Sequence, residues 1–405
     1  MQLYRRMLAL PGIRSLTILI FFARIPLAAS AMILTLHVAI ELGRGYGAAG
    51  LVGAAVTVGA AVAAPVMGRV VDRYGLRRML MITVVGETLF WLTARFLPYP
   101  LLLVAGFAGG FFILPAMGIG RQAIAALVPA ELRRTAYSLD SISTELSFMV
   151  GPALAVLLVT QLSTTAALTA MAIGIAAVGT ALFLVNPAVR SAKEKAEDDG
   201  VRPPRRSWLT PRLIAVLLIG AGAVFVLAGS EVTVVAQLRG QGDVAWTGLV
   251  VGMWSAASAI GGLVYGGLHR SFSQVGLMAL LGALTIPVGL VHGDWWLLAL
   301  ALLPAGLLCA PTIAATGEEV SRLAPVAVRG EATGMQSTGF TLGAATGAPV
   351  VGFVVDHSSP AWGFAVAGLG GILVAAAAVV LIARSSSRHP DQPAQPQPAS
   401  ASAIS

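Results

Sequence analysis

Arg24, Arg121, Asp140, Glu145 and Glu231 are ionisable side chains that stand inside long apolar stretches of this chain. A charge at the centre of a bilayer costs about 2.5–3.5 kcal/mol on insertion scales, so residues of this kind persist where they pair, bind or move protons. At 1.5 Å per helical residue, Arg24 lies roughly 14 Å from one end of its stretch, Arg121 roughly 10 to 13 Å and Glu145 roughly 16 Å, so their depths overlap. Asp140, about 9 Å deep on the same helix as Glu145, is placed to pair with Arg121. A buried carboxylate whose cationic partner can move takes up and releases a proton as the protein changes shape. Glu145 is the first candidate for that work. The rival reading is a static pair, Arg121 with Asp140 or Glu145, that ties two helices together. Glu231, in Gly229-Ser230-Glu231 near the outer end of its helix, would bind a cation or reach water.

A second group has a different chemistry. Gly68-Arg69-Val70-Val71-Asp72-Arg73-Tyr74-Gly75-Leu76-Arg77-Arg78 is a polar turn between two apolar segments. Gly68 permits close approach of a neighbouring helix, Gly75 a sharp reversal, and Asp72 can cap the positive start of an opposing helix. The loop formed by Gly68, Asp72, Arg73, Gly75, Arg77 and Arg78 is therefore a candidate gate. No Gly-x-x-x-x-Gly-Lys-[Ser/Thr] phosphate loop and no His/Glu/Cys ligand spacing occurs, and Cys309 is the single cysteine. Nothing here calls for a cofactor, a metal or a disulfide. The acidic residues are scattered over several helices rather than gathered in one pocket, which argues against an enzyme.

The elements that must carry these residues follow from composition. The chain has 57% hydrophobic and 11% charged residues, against about 25% charged in soluble domains, and its mean hydropathy is +0.84. Apolar stretches long enough to span a bilayer recur along it. Twelve helices are expected: Ser15 to Ile40, Gly47 to Val71, Met79 to Phe96, Leu101 to Val128, Arg134 to Thr160, Thr165 to Val185, Leu213 to Gln237, Trp246 to Leu268, Gln274 to Val291, Trp295 to Val320, Glu331 to Val355 and Trp362 to Ala383. The first follows Arg5, Arg6 and Arg14 but is interrupted by Arg24, and reads as an uncleaved span rather than a signal peptide. His37, near its outer end, reads as interfacial.

With the amino terminus in the cytoplasm, 21 of the 26 lysines and arginines fall on the cytoplasmic side. This is the distribution the positive-inside rule demands, and it explains the net charge of +8 without nucleic acid. A multi-pass protein of the cell membrane with both termini cytoplasmic is expected. The halves also repeat. Ala126-Leu127-Val128-Pro129 aligns with Arg322-Leu323-Ala324-Pro325 at an offset of 196, Gly151 with Gly347 at the same offset, and Gly68 with Gly266 at 198. The expected architecture is an all-α membrane protein, its twelve transmembrane helices in two pseudo-symmetric six-helix bundles, 1–186 and 212–384. A charged linker, 187–211, and a Ser/Pro/Gln/Ala-rich disordered tail, 385–405, complete it.

Twelve spans, two similar halves, a long middle loop and the Gly-x-x-x-Asp-Arg-x-Gly pattern over Gly68, Asp72, Arg73 and Gly75 resemble the major facilitator superfamily, over nearly the whole chain. The resemblance implies that Asp72 faces the start of helix eleven, around Arg329 to Thr333, and latches the outward-open state. Drug-proton antiporters of that superfamily carry Gly-Pro-x-x-Gly-Gly on helix five. Here Gly151 and Pro152 match, as a helix-packing motif, while Ala155 and Val156 replace the last glycines. Their arginine in mid helix four is similar to Arg121 in location only. The function implied is secondary active transport by a monomer, with protons driving efflux of small, partly apolar compounds. The alternative is a uniporter or proton symporter that imports a polar metabolite such as a sugar.

Overall fold

The protein is described by a computed structural model over residues 2–191, 203–268 and 272–386. The charge run from Lys193 to Arg202, most of the tail and residues 269–271 of the second half's loop lie outside the described residues. Among those described, every regular element is a helix.

Ten helices are long and apolar enough to cross a membrane: Ile13–Glu41, Gly47–Tyr74, Tyr99–Leu127, Ala130–Gln161, Thr164–Val185, Pro211–Gln241, Val244–Gly267, Trp295–Leu323, Val326–His357 and Pro360–Arg384. Two more fill the third and ninth places. Leu76–Ala94 has the length but carries Arg77, Arg78 and Glu87. Gln274–Leu290 is apolar and shorter, tightening into a 3₁₀ turn at Ile286. Numbered in chain order, spans 1 to 6 and 7 to 12 make two six-helix bundles. Large apolar side chains such as Val104, Leu184 and Leu373 stay about 70% exposed on their outer faces, where a bilayer would solvate them.

Inside the bundles, helices meet where side chains vanish. Gly59 of span 2 lies against the Phe107 carbonyl of span 4, and Gly261 of span 8 lies against the Leu307 carbonyl of span 10. The same contact thus recurs in both halves, and a Cβ at either glycine would collide with backbone. Two hydrophobic clusters belong to one bundle each, one around Ile33, Trp91 and Leu168 and one around Ile219, Leu281 and Phe364. A third spans the bundles, joining Tyr4, Leu16, Met79 and Tyr137 to Tyr265, Leu277 and Ala314. It sits at the face where span 1 begins and span 12 ends, called here the terminal face.

Three local features depart from the sequence reading. Span 4, expected as one helix, breaks between Phe111 and Ala116, because Pro115 cannot donate to the helical ladder. The Leu114 N–H left over donates to the Glu87 carboxylate of span 3 at 2.7 Å. His37, expected at the interface, is instead buried at the head of a π-helical turn, His37–Glu41, that ends span 1. Within the linker, Arg205–Trp208 forms one helical turn, and Trp208 is buried among Leu213, Val216, Val320 and Ala332 of the second bundle.

Candidate functional site

Asp72 lies in the last turn of span 2, opposite the first turn of span 11. Its carboxylate accepts from the backbone N–H groups of Gly330 and Glu331, both at 2.9 Å. Such N–H groups have no partner within their own helix and sit at its positive end, so a carboxylate from the other bundle is their natural acceptor. Gly68 lets this happen, since a Cβ there would strike the Gly330 carbonyl. Gly75 turns the chain with φ 84°, a left-handed value suited to glycine. Arg73 and Arg78 lie instead on the Tyr74 ring, 5.2 and 5.6 Å from its centroid, and Arg77 on the Phe183 ring at 5.4 Å. Among the arginines of this loop, the one that crosses between bundles is Arg69, bound to the buried Glu331 carboxylate at 2.7 Å. Arg205 of the linker reaches the same oxygen, also at 2.7 Å.

The pseudo-equivalent seam, span 5 against span 8, keeps the direction of donation and exchanges the roles of side chain and backbone. Thr135 and Arg134, at the start of span 5, donate to the Gly266 and Leu268 carbonyls at 2.6 and 2.9 Å. Tyr4, on a short helix preceding span 1, bonds to the Leu263 carbonyl at 2.9 Å and so crosses the same seam.

Both seams run inward and then stop. Along spans 2 and 11, Gly334 abuts the Ala64 carbonyl and Thr338 donates to the Ala61 carbonyl at 2.8 Å. Along spans 5 and 8 the corresponding contact is Ser258 donating to Glu145, with Ser258 in turn accepting from the Ala310 N–H at 3.0 Å. One turn further, on the same helix faces, Val58, Leu342, Phe148 and Met149 are each about half exposed. Hydrogen bonds between the bundles thus run from the terminal face inward as far as Thr338 and Glu145, which puts Glu145 at the floor of the half-exposed stretch beyond.

Beside that floor lies a buried charge cluster. Arg24 of span 1 holds Asp140 Oδ1 at 2.6 Å and the Asp140 carbonyl at 3.2 Å. Arg121 of span 4 approaches Oδ2 at 3.6 Å, and its guanidinium lies 4.6 Å from the centroid of Phe340 on span 11. The three charged side chains are 0%, 2% and 6% exposed. Glu145 does not join them. Glu231 is exposed on span 7 and makes no ion pair among the described residues. Gly151 and Pro152 serve the packing of spans 5 and 1, where a Cβ on Gly151 would meet Ala28 Cβ at 2.6 Å. No group of three or more potential metal ligands occurs among the described residues. Sequence reasoning missed Arg69, Glu331, Ser258 and Phe340. Arg69 and Glu331 stand next to expected gate positions, whereas Ser258 and Phe340 leave no signal in hydropathy.

A sequence model of the Major Facilitator Superfamily matches residues 16–293 and 274–404. The chain belongs to that superfamily. No curated protein sequence matches it significantly. Among solved structures it is similar to the human organic anion transporter MFSD10 (TETRAN), with 18% identity, 91% of this chain and 100% of that one covered, and a TM-score of 0.69. It also resembles the proton:xylose symporter XylE at 15% identity, 90% and 94% coverage and TM-score 0.67. A bacterial homologue of the iron transporter ferroportin, in an outward-facing state, gives 15%, 94% and 100%, and 0.71. At these identities the likeness is one of fold alone.

Proposed function

We propose that this superfamily member is a proton-coupled exporter of small, partly apolar compounds. It works as a monomer in the cell membrane, with the terminal face toward the cytoplasm and alternating access between its two bundles. The observation that carries the reading is the Glu145–Ser258 bond, the innermost hydrogen bond between spans 5 and 8 counted from the terminal face. An ionised carboxylate makes a charge-assisted bond about twice as strong as a neutral one. A proton arriving from the cleft therefore weakens the join between spans 5 and 8, and loss of that proton restores it. The Asp72 contact to span 11 must part in the same movement. Asp140 borders a cavity of about 20 Å³ shared by Met7, Thr17, Arg24 and Ser143, room for a water-sized molecule on the way to the terminal face.

The test is transport by the purified protein in liposomes, with and without an inward pH gradient. Native protein accumulates substrate only with the gradient, and Glu145→Gln exchanges substrate across the membrane without concentrating it. Equal native transport with and without the gradient would remove proton coupling.

A further inference from the structure

We propose that the Arg24–Asp140–Arg121 cluster is an anion-binding site, one that takes the carboxylate or sulfonate end of a partly apolar organic anion, with Phe340 as its cover on the cleft side. The proposal rests on the transport reading above and names the substrate class for it.

Charge balance is the first argument. Two guanidinium groups share one carboxylate, so the cluster carries a net positive charge at 0% and 2% exposure of its arginines. Burying an uncompensated ion costs several kcal/mol, and such a cluster is complete only with a second anion. Hydrogen bonding is the second. Among the described residues, Arg24 Nε and Arg121 Nη1 are buried N–H groups without an acceptor, the Ser143 hydroxyl beside them is unpartnered too, and on the cluster's acceptor side only Asp140 Oδ2, 3.6 Å from Arg121 Nε, goes without a hydrogen bond. A guanidinium edge with an unmade N–H suits a carboxylate or sulfonate oxygen and repels an ammonium.

Position is the third argument. What stands over Arg121 is the Phe340 ring, whose negative face partly offsets the charge. Phe340 lies two residues beyond Thr338, the last bond of the span 2 to span 11 seam, so the cation sits beside the inner end of that seam. A ring is a poor substitute for an anion and is held by one helix of the opposite bundle. An incoming anion displaces it by offering Arg121 a better partner. Its apolar remainder then rests against the aromatic and aliphatic wall that includes Phe340. Glu145, the nearest acidic group on span 5, is already bound to Ser258 across the seam.

Binding is measured by titration calorimetry on the purified full-length protein in detergent, at equilibrium and with no gradient, using 2-naphthoate and its uncharged isostere 2-naphthamide. Native protein should bind naphthoate at least tenfold tighter than naphthamide, the ratio expected of one charge-assisted bond. Arg121→Gln should erase that ratio. Phe340→Leu, which uncovers the cation, should tighten naphthoate at least threefold without tightening naphthamide. Equal affinity of the two probes, no naphthoate binding at millimolar concentration, or naphthoate binding unchanged by Arg121→Gln overturns the proposal. If Arg121→Gln does not fold, an unchanged naphthoate affinity in Phe340→Leu overturns it instead. Because no gradient is present, failure here sinks the anion site alone, and failure of the liposome test sinks the coupling alone.

Discussion

Asp140 is gripped by two arginines where one would neutralise it, and this asymmetry makes it the residue whose loss should hurt most. Asp140→Asn leaves two buried guanidinium groups facing each other, and breaking a buried pair in this way costs about 3–5 kcal/mol. We expect a marked fall in melting temperature, read by thermal unfolding in detergent, and partial recovery in Asp140→Asn combined with Arg24→Gln. No recovery would mean that the arginines do not oppose one another. Counting residues from the span ends places Arg24, Arg121 and Asp140 at shared depth, so their assembly was half legible. It could not say which way each side chain points around its helix. For that reason Arg24, not Arg121, is the closer partner of Asp140, and Glu145 faces Ser258 on another bundle.

At the scale of elements, the seams between spans decide which face is open. Asp72→Asn weakens the two N–H bonds that hold span 2 to span 11, and should raise labelling of cavity positions from the terminal face. A stronger effect is expected for Gly334→Val. Its side chain would collide with the Ala64 carbonyl, so the seam cannot close and terminal-face labelling should predominate. Unchanged labelling in both variants would dissociate these contacts from gating. The polar turn and its glycines were readable because few residues other than glycine tolerate close approach or positive φ. The break in span 4 was not read, although Pro115 announces it. Hydropathy averages over a window and registers a proline in an apolar run as merely more apolar chain. The Glu87 carboxylate that satisfies the freed Leu114 N–H lies on a different span and cannot be found by local pattern.

For the whole molecule, the number of crossings and the two-fold repeat were legible from periodic apolar stretches and matched motifs, because a bilayer leaves the backbone almost no other solution. Which side is open was not legible, since every conformer of a transporter shares one sequence. Orientation is directly testable because Cys309 is buried and is the only native thiol. A cysteine placed at Gly242, between spans 7 and 8, should react with a membrane-impermeant maleimide on intact cells, while one at Arg5 should react only after permeabilisation. The reverse pattern would invert the topology. The double hold on Glu331 bears on the energetics of the swing itself. When the bundles separate, Arg69 leaves with the first, whereas Arg205 is anchored to the second through Trp208. The carboxylate thus keeps a travelling counter-ion throughout the stroke. The activation barrier need not include stranding a bare ion at the membrane surface, and Arg205→Gln should slow turnover while leaving substrate affinity intact.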